Sequence, residues 1–465
     1  MIGETPVAAA APAQRRLLRD SVLFKMFVIG LLMLALLIPL VMVSGLISER
    51  QARHDQTAAE VAKSWGMEQT LGGPVLRVPY LVHGKDADGK SWTATLQATF
   101  LPEQLAVDGQ VVPEKRSRGI FEVAVYRAHL NWKGTFRRPS FAAWGVAEQD
   151  VRWNEAELSF GVPDMRGLRH GVRVTWAGQG LDLAPGGSAE GMWSRGLRTP
   201  VPGLAGGEAG QTYPFAFDLV LDGSRSLKFL PLGRQTTVKL RSPWPDPSFT
   251  GAYLPESRRV GKAGFEAAWS VPYFGRSYPQ QWRLAEEAAK VAPQEALDAS
   301  AFGVDLFLPV DAYQKTERSL KYGMLFLLLT FLTFFLYEVF NPFSLHPLQY
   351  LLVGAALVLF YLLLLSLSEH VPFGLAYAVA SAATVGLIGG YAAAILRGRM
   401  RALGTAAALA ALYGYLYVLL QAEDYALLLG SVGLFAILAL VMFVTRRIDW
   451  YAPRPGGGSP SPGRV

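Results

Sequence analysis

The chain has 465 residues, of which 51% are hydrophobic, and it contains no cysteine. The lack of cysteine excludes disulfide bonds, zinc–thiolate sites and a cysteine nucleophile. The 44 Lys and Arg residues exceed the 37 Asp and Glu residues, but the basic residues flank apolar runs instead of forming one basic face. That distribution is typical of membrane topology, so we expect no nucleic-acid partner.

Hydropathy predicts an alternation of tails, membrane segments and one large polar region. The first apolar run is longer than the ~7–15 residues of a cleaved signal's apolar core, so we interpret it as an uncleaved signal anchor. The polar segment after this run lacks turn residues and is expected to continue the helix. The expected parts are a disordered cytoplasmic tail at 1–21, transmembrane helix 1 at 22–47, an extracytoplasmic β-rich domain at 48–319, a five-helix transmembrane domain at 320–445 and a cytoplasmic tail at 446–465.

Five further apolar runs each supply roughly the 20 residues that a bilayer core requires. They lie at about 320–340, 347–368, 372–396, 402–420 and 426–445. The connection RGRMR and the segment RRIDWYAPRP after the last run are basic, whereas SEH and AED contain no Lys or Arg. The positive-inside rule therefore predicts that both termini are cytoplasmic and that SEH and AED lie on the outer side.

Short alternating runs bounded by Gly, Asp and Pro make up most of the region 48–319. Two such runs surround Asp88 and Gly89, which is the pattern of a β-hairpin. The repetition of short strands favours a large all-β, antiparallel, sandwich-like domain inserted between helices 1 and 2. One or two short helices are expected in PQQWRLAEEAAKVAPQEAL. The predicted fold class is thus a six-helix α-helical membrane domain plus this β domain.

The polar residues of the region 48–319 form no recognisable catalytic or metal-binding motif. No two histidines are four residues apart, and HExxH, GxSxG and phosphate-binding loop patterns are absent. Paired carboxylates can hydrolyse glycosides, but the crowded group here is more typical of a solvated hairpin. We predict no catalytic residue, no metal and no cofactor, with a carboxylate-dependent hydrolase as the weakest alternative. The crowded carboxylates are Glu148, Asp150, Glu155 and Glu157.

Ionisable residues are almost absent from the membrane runs, which argues against ion-coupled transport. Lys25 lies at the edge of the first run, and Glu338 is the only acidic residue inside any run. The simpler interpretation places Glu338 at the cytoplasmic interface. The alternative is an ion pair with Arg397 or Arg399.

Three separated segments are expected to bring polar residues to the outer membrane edge. One segment precedes the second span in the chain, and the other two follow the third and the fifth spans. The simpler interpretation is a joint between domain and membrane built from ion pairs, and the alternative is a polar pocket at the lipid–water boundary. The candidate residues are Arg318, Lys321, Glu369, His370, Glu423 and Asp424.

The proline-rich segment SPWPDPSFTGAYLP is predicted to be a rigid loop, because proline fixes φ and suppresses alternative conformers. Such a loop serves either as a recognition surface or as a brace against the sheet. The candidate recognition residues are Trp244, Pro245, Pro247 and Phe249.

Several of these segments resemble the CreD family, bacterial inner-membrane proteins described as cell envelope integrity proteins. The carrying segments are DAYQKTERSLKY, LHPLQYLLVG, YLLLLSLSEH, VTRRIDWY, SPWPDPSFTGAYLP and, less strongly, GGPVLRVPY and DMRGL. The resemblance implies an inner-membrane location, a periplasmic domain at 48–319 and a link to envelope stress and a two-component regulatory system. It supplies no catalytic residue.

We therefore expect a non-enzymatic factor that supports envelope integrity or the stress response. Its expected partners are membrane lipids and a periplasmic or inner-membrane protein. The alternative is handling of lipid or lipid-linked glycan at the periplasmic membrane face, near Glu369 and His370 with Arg318 and Lys321. A periplasmic hydrolase ranks below both.

Overall fold

A computed structural model describes residues 22–119, 121–186, 192–193, 195–208, 210–283, 293–306, 312–340, 345–396, 399–422 and 425–446. Contacts divide the chain into a helical unit, Met1–Arg53 with Val310–Val465, and a β-rich unit, His54–Pro309.

Eight α-helices lie within the described residues. Their bounds are α1 Val22–Trp65, α2 Pro293–Ala299, α3 Ala312–Lys321, α4 Gly323–Phe340, α5 Pro347–Ser368, α6 Phe373–Ile395, α7 Arg399–Gln421 and α8 Ala426–Thr445. Six of them, α1 and α4 to α8, are long and apolar enough to cross a membrane, which confirms the predicted number of spans. Helix α1 also continues past its apolar part, as its sequence predicted.

The second predicted span, 320–340, is divided in the structure. Helix α3 ends at Lys321 and α4 begins at Gly323. A Cβ atom at Gly323 would lie 2.9 Å from Leu40 Cδ2 and 3.4 Å from the ring of Tyr361, so a glycine allows the helices to approach closely here. Helix α3 is therefore a separate polar helix, and α4 alone is the apolar segment.

The β-rich unit contains two sheets built from seventeen strands in the described residues. The bounds are β1 Gln69–Lys85, β2 Ser91–Phe100, β3 Gln104–Arg118, β4 Phe121–Arg137, β5 Glu157–Gly161, β6 Arg173–Trp176, β7 Gln179–Asp182, β8 Ala184–Pro185, β9 Gly196–Pro200, β10 Thr212–Ser224, β11 Ser226–Phe229, β12 Gln235–Ser242, β13 Pro247–Gly251, β14 Ser257–Gly261, β15 Gly264–Pro272, β16 Gln281–Arg283 and β17 Phe302–Leu306. One sheet has the order β13-β17-β11-β1-β5-β9-β8, with β2 on β1 and β16 on β2. The other has the order β14-β15-β12-β3-β4-β10-β6-β7.

Most strand pairs are antiparallel, and the predicted hairpin is confirmed as β1 and β2. Two pairings are parallel, β1 with β11 and β3 with β12. The prediction of an antiparallel domain was therefore wrong for these pairs. Side-chain alternation indicates which face of a strand is buried, but it carries no information on the direction of the neighbouring strand.

The two sheets contribute to one hydrophobic cluster. At its centre, Leu76 and Tyr80 of β1 are fully buried. Trp132 of β4 stacks on Phe217 with ring centroids 5.7 Å apart and meets the edge of Phe160 at 5.0 Å. Such aromatic pairs add about 0.5–1.5 kcal/mol each beyond the burial of their area, so large rings help stabilise a domain that has no disulfide.

Asp222 on β10 provides the main buried charge of the β-rich unit. Its side chain is fully buried, and Arg127 Nε donates to Oδ1 at 2.8 Å while Arg169 donates to Oδ2. Burial raises the pKa of Asp222, but the hydrogen bonds and charges of the two guanidinium groups outweigh burial and hold that pKa below its ordinary value. The carboxylate is therefore ionised at neutral pH and fixes β4, β10 and the segment that carries Arg169.

The DMRGL segment packs against the same strand. Asp164 accepts a hydrogen bond from the Met67 N–H at 3.0 Å. The Arg166 guanidinium bonds to Asp164 and holds the pKa of that carboxyl below its usual range. A Cβ atom at Gly167 would overlap the backbone oxygen of Asp222. The segment thus depends on glycine for its close approach to β10.

We expect Gly167→Ala to lower the free energy of unfolding of the β-rich unit by about 1–3 kcal/mol, because the added methyl group overpacks a close backbone contact. Denaturant unfolding of the purified protein, followed by tryptophan fluorescence, measures this change. Gly171→Ala is the matched control, since a Cβ atom there has no neighbour within 4 Å. Equal stability of the two variants would contradict the proposed close approach.

Candidate functional site

Glu369 is the centre of the predicted outer-edge group. It forms the C-cap of α5, and its side chain is only 10% exposed. The Tyr313 hydroxyl of α3 donates to Glu369 Oε1 at 3.0 Å, and Arg50 Nε of α1 lies 3.9 Å from the same oxygen. The carboxylate therefore joins three helices of the helical unit.

Two contacts of Glu369 within the described residues come from groups other than Lys321 and Arg318. Lys321 Nζ lies 3.1 Å from Glu317 Oε1, one turn earlier on the same helix. Arg318 is half-buried on α3 and has interactions of its own. The groups that contact Glu369 in the structure are Tyr313, which the sequence analysis did not select, and Arg50.

His370 follows Glu369 directly and is exposed, with Nδ1 3.0 Å from the Ser366 carbonyl oxygen. This contact holds the ring against the last turn of α5. The remaining two candidates, Glu423 and Asp424, lie outside the described residues.

The candidate recognition loop packs largely against its own domain. Trp244 is buried, and Phe249 on β13 meets the edge of Phe265 with ring centroids 5.7 Å apart. Pro247 begins β13, and Pro245 is exposed. Because both aromatic rings face the core, the geometry favours a brace against the sheet over a recognition surface.

The crowded carboxylates are mostly engaged by basic groups. A glycoside hydrolase needs two carboxyl groups that face each other across a substrate. In the structure the pairs are Glu148 with Arg138, Asp150 with His83, and Glu157 with Arg77 and Arg198. Each of these three carboxylates is thus held by a basic side chain.

A hydroxyl, an imidazole and a carboxylate meet at His83. Its Nδ1 lies 3.0 Å from Thr93 Oγ1, and its Nε2 lies 3.2 Å from Asp150 Oδ1. A hydroxyl, an imidazole and a carboxylate in this sequence of contacts resemble an activated nucleophile. The imidazole side chain, however, is 55% exposed. Thr93 is also its direct cross-strand neighbour in the hairpin. An open strand surface does not exclude water, so the contact is best explained as cross-strand pairing.

The residues that the structure describes contain no group of three His, Asp or Glu side chains that could hold a metal ion.

An ion pair inside the helical unit is a further polar contact that sequence reasoning missed. Lys25 of α1 pairs with Glu338 of α4, and the Tyr350 hydroxyl of α5 donates to Glu338 Oε2 at 3.2 Å. The side chain of Glu338 is 2% exposed and that of Lys25 is 17% exposed. Arg397, one of the two expected partners, lies outside the described residues. The available signal was that Lys25 lies at the edge of the first apolar run, while Glu338 is the only acidic residue inside any run.

An apolar cavity of about 490 Å³ opens among α4, α7 and α8. The small side chains of Ala408 and Ala436 leave much of this space. Thr330, which also lines it, is buried, and its hydroxyl has no hydrogen-bond partner among the described residues. Among the described residues, no Asp, Glu, Lys, Arg or His side chain lines the cavity, so its chemistry suits an apolar chain.

Comparison with known proteins identifies the family. The family profile described as inner membrane protein CreD matches residues 21–451. Inner membrane protein CreD of Escherichia coli (strain K12) is 34% identical over 440 residues, which cover 94% of this chain and 95% of that protein. The chain belongs to the CreD family.

The family assignment confirms the resemblance found in the sequence and supports a multi-pass inner-membrane protein. Among solved structures, an M1 zinc metallopeptidase from Deinococcus radiodurans aligns at 12% identity with a TM-score of 0.17, over 37% of this chain and 39% of that chain. A TM-score this low carries no argument about the CreD fold or its activity.

In this CreD family member, we expect Lys25→Met or Glu338→Met alone to lower stability by about 3–5 kcal/mol, because each leaves an uncompensated charge in an apolar bundle. The double variant removes both charges and is expected to recover most of the loss. Protein level in the membrane and the melting temperature in detergent measure the effect.

The exposed pair Glu317 and Lys321 provides the control, with side chains 40% and 69% exposed. Lys321→Met should change stability by less than about 1 kcal/mol, because solvent screens surface pairs. A double variant of the buried pair as unstable as the sum of its single variants would contradict the coupling.

Proposed function

We propose that this protein supports the integrity of the bacterial cell envelope, or its stress response, by binding a periplasmic or inner-membrane partner and not by catalysis. In this proposal both termini are cytoplasmic and residues 48–319 are periplasmic. The observation that carries it is the fixed polar group at Glu369, with exposed His370 beside it.

The proposed orientation has support from charge and from helix pairing. Arg399 and Arg401 begin α7 and Arg446 follows α8, which is the pattern of cytoplasmic ends. Lys25 contacts α4 near its last residue, while Arg50 contacts the end of α5. The start of α1 therefore contacts the last turn of α4, and the end of its apolar part contacts the residue directly after α5. These ends of α4 and α5 thus lie on opposite sides of the membrane, as consecutive spans require.

The proposal of a non-catalytic role rests on the contacts and the exposure of the acidic and histidine side chains. The carboxylates at Glu148, Asp150 and Glu157 are paired with basic groups, and the His83 contact is open to solvent. Glu369 is engaged by Tyr313 and Arg50. These arrangements stabilise structure and present surfaces, and they favour binding over chemistry.

Photo-crosslinking from position 370 in intact cells, followed by mass spectrometry, tests this proposal. We expect a reproducible protein adduct, because the His370 side chain is exposed at the end of a fixed helix. Leu359 is the matched control position, since it is exposed in the middle of the same helix and should capture only bulk lipid.

A protein captured from position 370 and not from position 359 supports the proposed role and names the partner. Adducts only to other parts of this chain would reduce the site to a structural joint and contradict partner binding there. A lipid or glycolipid enriched at position 370 over position 359 would instead favour lipid handling at the periplasmic membrane face.

The second candidate is handling of membrane lipid, and the apolar cavity among α4, α7 and α8 favours it. The cavity's lining on α8 runs from Gly433 to Val444, a rise of about 16 Å at ~1.5 Å per residue. This length matches half of a hydrocarbon core of about 30 Å, which is the depth of one leaflet. A single acyl chain therefore fits, whereas a helix about 10 Å wide does not enter 490 Å³.

We expect Ala408→Leu to fill part of this cavity and to reduce the phospholipid that copurifies with the protein about twofold or more, since each buried CH₂ group contributes about 0.8 kcal/mol. Native mass spectrometry measures the bound lipid. Ala410→Leu is the control, because Ala410 lies on the same helix and does not line the cavity. Unchanged lipid in both variants would argue against a lipid site.

A further inference from the structure

A row of polar side chains crosses one end of the eight-stranded sheet. Thr212 of β10 pairs with Arg137 of β4, Thr135 of β4 pairs with Gln104 of β3, and Gln104 pairs with Gln235 of β12. Gln235 pairs in turn with Pro272 at the end of β15. Neighbouring strands are about 4.8 Å apart, so the row extends for roughly 19 Å across five strands.

All of these side chains lie on the solvent side of the sheet. The adjacent residues along the strands face the core, as Leu105, Phe136 and Tyr213 do. The row lines a groove of about 570 Å³ together with Glu103 and Arg234. Arg234 Nε lies 2.8 Å from Glu103 Oε2, so these two charges are fixed relative to each other.

An exposed aromatic ring closes one end of the groove. Phe274 is 82% exposed, and its ring centroid lies 4.0 Å from that of Tyr273. Tyr273 also contacts Arg234, whose guanidinium carbon lies 5.0 Å from the ring centroid. Phe274 is thus supported by a second ring while its own surface stays uncovered.

The backbone that carries Phe274 is fixed on both sides. The Tyr273 N–H donates to the Arg234 carbonyl at 2.9 Å, and the Tyr253 hydroxyl donates to the Gly275 carbonyl. A large apolar ring in such a turn lies in solvent without being on a free loop tip. It is therefore a ready surface on which a ligand can stack.

We propose that this groove binds an extended oligosaccharide of β-linked sugars, with one sugar stacked on Phe274 and the following sugars bonded to the amide, hydroxyl and guanidinium groups of the row. A sugar ring presents C–H bonds on its face, which suit an aromatic ring, and hydroxyl groups around its rim, which suit planar amides and guanidinium groups. The groove supplies these features in that order along its length.

The position of the groove favours a glycan over a peptide. An extended peptide commonly binds by adding a strand to a free sheet edge. The edge strands of this sheet are β14 and β7, whereas the groove crosses β10, β4, β3, β12 and β15, which lie between them. Their backbone groups are already used within the sheet, so recognition here relies on side chains.

This inference deepens the proposed function, because it rests on the location of residues 48–319 in the periplasm, where cell-wall glycan is present. It also stands apart from the outer-edge group, since none of the groove residues belongs to the helical unit. A binding measurement on purified protein separates the two, because it does not depend on partner capture in cells.

Full-length protein in lipid nanodiscs, free of sugar-based detergent, is titrated with chitohexaose by calorimetry and is sedimented with purified peptidoglycan sacculi. We expect the wild type to bind both probes. Phe274→Ala should weaken chitohexaose binding about five- to tenfold, the range expected when one aromatic contact is lost. Phe274→Tyr retains the ring and should retain binding.

Trp92→Ala is the matched control, because Trp92 is a half-exposed ring on β2 that does not line the groove. Binding that is lost in Phe274→Ala and kept in Trp92→Ala supports the groove. Binding of chitohexaose without sacculi would assign the site to shorter or lipid-linked glycans, still in this groove. No binding by the wild type, or equal binding by all variants, overturns the inference.

Discussion

A carboxylate inside an apolar helix bundle has to be paired, and Glu338 meets this constraint with groups from two other helices. Lys25 supplies the charge from α1 and Tyr350 supplies a hydrogen bond from α5. Removing such charges from water costs several kcal/mol, which only close pairing offsets. A slip of one helical turn, about 5.4 Å, would break both contacts. The pair therefore fixes the register of α1, α4 and α5, and the apolar contacts of the bundle follow from that register.

The β-rich unit also contains a buried carboxylate that is paired with basic groups. Asp222 is fully buried, and Arg127 and Arg169 reach it with guanidinium groups that remain partly exposed. The charge is thus paired inside while its partners keep contact with water. Arg169 also stacks over the ring of Trp65, 5.2 Å from its centroid, and Trp65 ends α1. One buried carboxylate consequently links strand β10 to the end of the helix within this unit.

The sequence predicted those elements that depend on local periodicity or local composition alone. Hydropathy alone determined the six spans, and the turn at Gly89 determined the first hairpin. It was uninformative about partners far apart in the chain. Lys25 and Glu338 are separated by 313 positions, and no local pattern connects them. Tyr313 was missed as a partner of Glu369 because ion pairing directed attention to lysine and arginine, whereas a phenol hydroxyl can also donate to a carboxylate.

Burial separates the groups that maintain the fold from those that are available to a partner. Glu338 and Asp222 have negligible exposure, so changing either would reduce the amount of folded protein and imitate a loss of function. Recognition has to rely on side chains that are exposed and yet held by ordered backbone. His370, next to a helix cap, and Phe274, in a turn bonded on both sides, meet both conditions. They belong to different units, so the proposed partner binding and the proposed glycan binding depend on separate sets of residues.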